Sequence, residues 1–402
     1  MLASSRILSR FKLWTLSVLV LTRIRPSTRL DENFRLRFSY FCLLGKDSPR
    51  IRQAFAGVLR RDLDISAANN LWLAFTAWCL GCFRLAELIN RRTAKRNYGT
   101  PEAVIAAREA EFAASLLNGN LADTLSDVVD QLSISVTTTE PLIVVPLSGQ
   151  YGKLFELWRQ QVDHHAKGRL VVLAMDEKAR DIVKESGTHD IVDLSSYFSF
   201  DQTGCVDDFS KRHLWVLRVL VLKDLISRGH TVISLDLDAV LVGDLNQMLD
   251  ALPISDIVAQ RDYSIPIDVA RELGFILCCG FMLIRSNPAT IDFMSRYATQ
   301  VTLELDDQCA VNHLLVEAGV QNQISTSAYM VFDSGDVSWA CPDTSLVSRN
   351  VGYGTVIRHF QQQGQSIEDL RQSLGLGEGP TSPLNHEVMH SNKPPTIRDV
   401  VS

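Results

Sequence analysis

Short apolar runs alternate with amphipathic stretches along the middle of the chain, from Glu140 onward. Apolar runs bounded by polar turns are typical of buried strands, and apolar residues that recur every three or four positions are typical of helices. The predicted elements are, in order, a strand at 142–145, a helix at 151–162, a strand at 170–174, helices at 177–185 and 211–227, and a strand at 231–235. This order predicts an α/β fold with a mostly parallel sheet that carries helices on both faces.

The pattern continues less clearly toward the end of the chain. Asn287 before Pro288 is typical of a helix start, because a capping residue precedes a proline in the first turn. We predict further strands at 256–259, 280–284, 328–332, 355–357 and 387–390, and a further helix at 306–317.

The region before the sheet reads as helical. Residues 101–131 have helical periodicity, and we expect them to pack on the domain that follows. The apolar run at 71–83 could reach membrane length only by including Arg84 and Glu87, so we interpret it as a buried helix. The predicted organisation is a targeting segment or short membrane anchor at 1–30, a helical region at 31–135 and the α/β domain at 136–402.

The charge is divided unevenly along the 402 residues. Residues 1–61 hold 13 Lys and Arg against 3 Asp and Glu, and the remaining 27 basic and 43 acidic residues leave that part at −16. The acidic part predicts no nucleic-acid partner. The basic part encloses an apolar run at 13–21, too short for an ordinary bilayer span, and therefore predicts a signal, a transit peptide or a short anchor.

Two carboxylates follow the predicted strand at 231–235. Asp236 and Asp238 are two positions apart, so on an extended chain both side chains leave the same face. They lie beyond the carboxyl end of the strand, where open α/β sheets bind ligands. Carboxylate oxygens there suit a hard divalent cation with positions left for phosphate. No lysine occurs between Lys223 and Lys393, so a metal would have to neutralise most of a diphosphate's charge.

The stretch from Gly229 to Asp244 resembles the D-x-D segment of GT-A glycosyltransferases, in particular the nucleotide-diphospho-sugar transferase family that includes plant cell-wall α-xylosyl- and arabinosyltransferases. Further similarities occur in the family's order and cover about residues 140–393. They are the strands at 142–148 and 170–179, the glycine-containing strand Cys279-Gly280-Phe281 that ends in Arg285-Ser286, the Asp307-Gln308 helix start with Asn312, and His390-Ser391-Asn392.

The resemblance implies a GT-A-like, Rossmann-type domain that moves a sugar from a nucleotide diphosphate, UDP by expectation, to a glycan or protein acceptor with retention. It implies that Asp236 contacts the donor ribose or the metal, and that Asp238 and His390 ligate Mn²⁺ or Mg²⁺. His359 is the alternative third ligand, because it also ends a predicted strand. The family works mainly in the secretory pathway, and we therefore expect a Golgi membrane location, with an organelle or the cytoplasm as alternatives.

Five further residues are candidates for donor contacts on the same grounds. Ser148 and Asp176 would contact the nucleoside, Arg218 a phosphate, and Asp307 and Gln308 the sugar at the reacting carbon. Each also has a structural interpretation. Ser148 would be a capping serine, Asp176 a solvated carboxylate and Arg218 a surface charge, and Asp307 and Gln308 would cap a helix.

Two other functions fit parts of the same pattern. Asp236 and Asp238 also resemble the first motif of haloacid-dehalogenase-like phosphatases, in which the first Asp is a nucleophile. That family needs a downstream basic residue, and here only scattered arginines follow. A non-catalytic protein that binds a sugar nucleotide is the second alternative, and the intact Asp236, Asp238 and His390 disfavour it.

Overall fold

Four helices precede the sheet in the computed structural model, which describes residues 67–79, 83–130, 132, 140–187, 190–200, 206, 210–263, 265–348 and 354–359. They are α1 (Ala67–Cys79), α2 (Phe83–Arg96), α3 (Pro101–Asn118) and α4 (Asn120–Asp130). Thr100 caps α3 by accepting a hydrogen bond from the Ala103 amide. Gly119, at a φ of 76°, ends α3 in the left-handed conformation that glycine adopts without strain. The helical stretch predicted at 101–131 is therefore two helices with a glycine between them.

Helix α1 packs into the protein core along one face. Leu71, Ala74, Ala77 and Trp78 are buried, and the Trp78 indole N–H donates to the Thr302 carbonyl at 2.7 Å. This confirms the buried helix predicted for the part of 71–83 that the structure describes. Within the described residues, no helix is both long and apolar enough to cross a membrane.

The α/β part follows from Leu142. Its strands are β1 (Leu142–Leu147), β2 (Arg169–Ala174), β3 (Ile191–Asp193), β4 (Val232–Leu235), β5 (Ala239–Leu241), β6 (Ile257–Asp262), β7 (Ile276–Ile284), β8 (Val320–Ser325), β9 (Tyr329–Ser334), β10 (Val337–Pro342), β11 (Val347–Ser348) and β12 (Ile357–His359). Its helices are α5 (Gly152–His165), α6 (Glu177–Glu185), α7 (Lys211–Ser227), α8 (Leu245–Ala251), α9 (Ile267–Leu273), α10 (Pro288–Glu304) and α11 (Asp307–Ala318).

Nine strands form one sheet in the order β3-β2-β1-β4-β7-β6-β10-β9-β8. The four strands from β3 to β4 are parallel, as the alternation of strands and helices predicts. Strand β7 then runs antiparallel to both β4 and β6, and β8 to β10 pair antiparallel at the other edge. The α/β class is confirmed, but the sheet is mixed rather than mostly parallel, because the parallel pairing is confined to one half of it and to the β6–β10 pair.

Several predicted boundaries hold closely. Asn287 caps α10 through the Thr290 amide, and Thr290 completes a capping box, as the Asn-Pro pair predicts. The strands predicted at 256–259 and 280–284 are the start of β6 and the end of β7.

The helical region and the sheet are joined through α7. Ser126 on α4 donates to Asp224 on α7 at 3.0 Å, and Arg228 bonds to both Asp224 and Asp130. The packing on the following domain, expected from the sequence, is therefore present. The domain boundary at 135, the segment at 1–30 with its apolar run, the strand at 387–390 and His390 lie outside the described residues and stay predictions.

Candidate functional site

The D-x-D pair lies in a tight turn between β4 and β5. All four residues of β4 are buried, which fixes the strand in the sheet and delivers Asp236 to its carboxyl end. The Asp236 amide donates to the Gly280 carbonyl at 2.9 Å, and the Ala239 amide donates to the Asp236 carbonyl at 2.9 Å. Trp158 donates to the Ala239 carbonyl at 3.0 Å, which holds the start of β5. The two carboxylates are about 30% exposed and are open to a ligand.

His359 completes this group from a distant part of the chain. It ends β12, which pairs antiparallel with β5, so that His359 lies opposite Ala239. Its Nε2 is 3.1 Å from Asp238 Oδ1 and 3.7 Å from Asp236 Oδ2. The pairing of β5 with β12 is extended by one more hydrogen bond, which the Val242 amide donates to the Val356 carbonyl at 2.8 Å. Burial alone would lower the pKa of His359, but its hydrogen bond to Asp238 and its contact with Cys278 raise that pKa well above its ordinary value.

The three side chains fit a divalent cation. Each offers one ligand atom, and these atoms lie within 4.8 Å of one another, a spacing at which one ion contacts all three. Two carboxylate oxygens and one imidazole nitrogen suit Mn²⁺ and also Mg²⁺. The structure places His359, the alternative third ligand, beside Asp238, whereas His390 lies outside the described residues.

Arg218 links the D-x-D pair to the start of α11. It projects from α7 and is buried between two carboxylates. Its Nη1 donates to Asp236, and its Nη2 and Nε both donate to Asp307 Oδ2, Nε at 3.1 Å. Burial would lower the pKa of Arg218, but Asp307 and Asp236 raise it well above its usual value. Arg218 is therefore a buried cation and not the surface charge of the structural interpretation.

Asp307 is the first residue of α11, and the capping residue is its neighbour Asp306, which accepts from the Cys309 amide. Burial raises the pKa of the Asp307 carboxyl to about 6, although Arg218 opposes this shift. Gln308 donates to the Ile265 carbonyl at 2.5 Å. The Asn312 amide bonds to both backbone groups of Leu277 and so ties α11 to β7. Asp307 is thus a carboxylate aimed at Arg218, a different role from helix capping.

Two cavities meet at the D-x-D pair. The first has a volume of about 390 Å³ and is lined mainly by apolar groups, together with Ser148, Gln150 and Tyr151. The second has a volume of about 290 Å³ and is lined by Gly280, Asp307, Gln308 and His359. Trp215, Arg218, Asp236 and Asp238 line both. The carboxylate pair therefore lies where a ligand occupying both cavities would pass.

Ser148 and Asp176 are placed differently from each other. Ser148 lines the first cavity and donates to Asp176 Oδ2 at 2.7 Å. Asp176 lies behind it as the N-cap of α6, where it also accepts from the Gly149 and Ala179 amides. Because its oxygens are occupied by these donors and it is buried, Asp176 is a capping carboxylate and not a solvated one. Its contact with a nucleoside stays a prediction.

Sequence reasoning missed two residues of the site. Trp215 lies one helical turn before Arg218 on α7, so its i, i+3 spacing from a candidate residue was an available signal. Gln260 lies on β6, and its amide oxygen is 3.2 Å from His359 Nδ1. No local pattern marks Gln260, because its partner is supplied by β12 at the far end of the described chain.

Residues 165–361 match the family model described as nucleotide-diphospho-sugar transferase. Among solved structures, the bifunctional glycosyltransferase WbbM is 13% identical, with a TM-score of 0.33 over 44% of this chain and 38% of WbbM. The galactosyltransferase LgtC, solved with donor and acceptor sugar analogues, is 17% identical, with a TM-score of 0.31 over 43% of this chain and 70% of LgtC. No curated protein sequence matches the chain significantly.

The family match contains the whole D-x-D turn together with Arg218, Asp307 and His359. Over residues 165–361, slightly less than half of the chain, the sequence is therefore similar to the nucleotide-diphospho-sugar transferase family. This similarity supports the family resemblance and favours sugar transfer over the phosphatase alternative.

Proposed function

We propose that this chain transfers a sugar from a UDP-sugar to a glycan or protein acceptor, with a divalent Mn²⁺ or Mg²⁺ ion at the D-x-D turn. The observation that carries the proposal is the convergence of Asp236, Asp238 and His359 at the junction of the two cavities. The family match ends at residue 361, so it includes His359. His390, the third ligand that the sequence favoured, lies outside the described residues and stays a prediction.

The first cavity has the properties of a nucleoside site. Its volume lies within the range of about 300 to 1,000 Å³ that small ligands occupy, and its lining is largely apolar with a few polar groups. We assign the base and ribose to this cavity, where Ser148 and Gln150 offer hydrogen-bonding groups. The sugar then lies in the second cavity, beside Asp307 and Gln308.

The bound ion would act as a Lewis acid that stabilises the departing nucleoside diphosphate. The chain's own residues supply the rest of the site. Asp236, Asp238 and His359 hold the ion, Arg218 fixes Asp236 and Asp307 relative to each other, and Gln308 is held at the sugar cavity by its bond to Ile265. We propose retention of configuration from the family resemblance, with the second cavity as the place of sugar transfer.

Isothermal titration of the purified full chain with UDP, with and without Mn²⁺, tests the proposal. We expect UDP to bind in the presence of Mn²⁺ and the binding to fall by at least tenfold in Asp238→Ala, since each ligand contributes directly to ion affinity. Asp333→Asn is a matched control, because this carboxylate lies on β9 and lines neither cavity. UDP binding that is independent of metal, or unchanged in Asp238→Ala, would contradict the metal site.

A second measurement separates sugar transfer from phosphate hydrolysis. The full chain is incubated with a set of UDP-sugars, and the release of UDP is followed with and without candidate acceptors. We expect acceptor-dependent release of UDP. Phosphatase activity that is lost in Asp236→Asn, without any UDP binding, would instead favour the phosphatase alternative.

A further inference from the structure

The His359 imidazole is held on both of its nitrogen atoms. Nε2 faces Asp238 at 3.1 Å, on the side of the candidate cation site. Nδ1 faces away from it, toward the Gln260 side-chain oxygen at 3.2 Å and the Cys278 sulfur at 3.8 Å. The amide oxygen lies at the distance of an ordinary N–H···O hydrogen bond, whereas the sulfur is a weak and more distant partner.

Gln260 reaches His359 from an irregular point in the sheet. It is fully buried on β6, and the β6–β7 register shifts between Ala259 and Gln260. Its register partner on β7 is Cys278, which brings both residues under the imidazole. Bulges of this kind re-aim side chains beside functional sites.

The other end of the Gln260 amide is unsatisfied. Among the described residues, its Nε2 has no hydrogen-bond partner. A buried donor without a partner disfavours the folded state, so a polar residue is expected there only if its oxygen has a role that an apolar residue could not perform. The contact that the oxygen makes is the one with His359 Nδ1.

The protonation of the two ring nitrogens follows from these contacts. A carbonyl oxygen only accepts hydrogen bonds, so Nδ1 must carry a proton when it bonds to Gln260. A neutral imidazole with its proton on Nδ1 has its lone pair on Nε2. In the structure Nε2 donates a proton to Asp238; a bound cation would displace that proton and take the Nε2 lone pair between Asp236 and Asp238.

We propose that Gln260 is a positioning residue for the cation site: its amide oxygen fixes the tautomer and ring orientation of His359, so that Nε2 is the metal ligand. This inference rests on the proposed metal-dependent function. Partners of this kind behind a ligating histidine contribute about 10- to 100-fold to metal affinity.

The test measures Mn²⁺ affinity rather than turnover. The full chain is titrated with Mn²⁺ in the presence of saturating UDP, by calorimetry and by the loss of the free Mn²⁺ signal in electron paramagnetic resonance. We expect Gln260→Leu to bind Mn²⁺ about 10- to 100-fold more weakly. We expect Gln260→Glu to bind at least as tightly as the parent chain, because a carboxylate oxygen also accepts the Nδ1 proton. Asp333→Asn, on β9 away from both cavities, is the control and should bind Mn²⁺ as the parent does.

Thermal unfolding separates positioning from a purely structural role. Gln260→Leu removes one unsatisfied buried donor, Nε2, but also removes the acceptor of the His359 Nδ1 proton, so its melting temperature should stay close to that of the parent. If that variant does not fold, Gln260→Met, with an unbranched side chain, carries the same test. The inference is overturned if the folded apolar variant binds Mn²⁺ within threefold of the parent, or if Gln260→Glu loses as much affinity as Gln260→Leu. A parent chain that binds no Mn²⁺ with UDP would instead contradict the proposed function itself.

Discussion

Gly280 lies directly against the imidazole ring of His359. A methyl group on residue 280 would place its carbon 2.2 Å from His359 Cε1 and 2.6 Å from Nδ1, far inside van der Waals contact. The carbonyl of the same glycine accepts the Asp236 amide at 2.9 Å. One residue of β7 therefore sets the position of both the D-x-D turn and the histidine that faces it.

Replacement of Gly280 by alanine should displace His359 from the carboxylates. The ring is buried and has little room to retreat, so we expect the affinity for Mn²⁺ with UDP to fall by about tenfold or more, the effect of a lost or misdirected ligand. Calorimetric titration of the folded variant measures this change.

Gly168→Ala is the matched control for this variant. At residue 168, just before β2, an added carbon would meet the Pro141 carbonyl at 2.7 Å and Ile143 Cδ1 at 2.9 Å, and neither neighbour lines a site cavity. This variant should unfold at a lower temperature but keep its Mn²⁺ affinity. Equal losses of affinity in both variants would indicate general destabilisation.

Replacement of Arg218 by methionine should destabilise the whole protein. Arg218 is 4% exposed and neutralises both Asp236 and Asp307, and the latter is only 5% exposed. Removal of one partner from a buried ion pair costs about 3 to 5 kcal/mol, because the remaining charge is left without compensation. The free energy of unfolding in urea measures this loss.

Two further variants show whether the Arg218 effect comes from the buried carboxylates. Asp307→Asn added to Arg218→Met should recover part of the lost stability. Arg228→Met removes a more exposed arginine that also bridges two carboxylates, and it should cost about 1 kcal/mol or less. If the two arginine variants lose the same stability, the burial of Arg218 is not the cause.

The parts of the fold and site that the sequence predicts are those with a local cause. β1, β2 and β4 are mainly apolar runs, which predict buried strands. Asp236 and Asp238 directly follow β4, so the sequence alone places them at the end of a strand. The edge strand β8 was not predicted, because it is mostly exposed and reads Gln-Asn-Gln, without the apolar alternation of a half-buried strand.

The contacts that complete the site depend on tertiary pairing. His359 lies beside the carboxylates because β12 pairs with β5. The residues around His359 in the sequence give no sign of this pairing. The sequence therefore favoured His390 as the third ligand and kept His359 as the alternative. The sequence marks Gly280 as part of a motif. The reason for a glycine there is the His359 ring packed against it, and that contact exists only in the folded chain.

Trp215 should report the binding of nucleotide. It is partly exposed and lines both cavities beside Arg218 and the carboxylate pair. A ligand that occupies the cavities would change the polarity around the indole, so we expect UDP with Mn²⁺ to alter the intrinsic fluorescence. Trp215→Phe should abolish most of this change and keep nucleotide binding by calorimetry within about threefold, since an aromatic ring is retained. Trp339→Phe, on β10 in the core, should leave the change intact; a response that survives in Trp215→Phe would place the reporter elsewhere.

Acid should weaken the attachment of the helical region to α7. Glu109 on α3 lies 2.9 Å from His213 Nε2 and 3.6 Å from Arg212, both on α7. Burial alone would raise the pKa of Glu109, but the attraction of His213 and Arg212 lowers it below its ordinary value of 4.5. The folded chain therefore binds this proton less readily than the unfolded chain does. The resulting stability is fully present above pH 4.5 and is lost as the pH falls through the lowered pKa of the folded state.

The comparison of the parent chain with Glu109→Gln measures this contribution. We expect the parent to be more stable near neutral pH, and the difference in the free energy of unfolding to shrink as the pH falls below 4.5. Glu111→Gln is the control on the same helix, because Glu111 is exposed and pairs with the exposed Arg108. Its effect should be within about 0.5 kcal/mol. A difference between the parent and Glu109→Gln that stays constant from pH 7 to pH 3 would show that the charge of Glu109 does not hold α3 to α7.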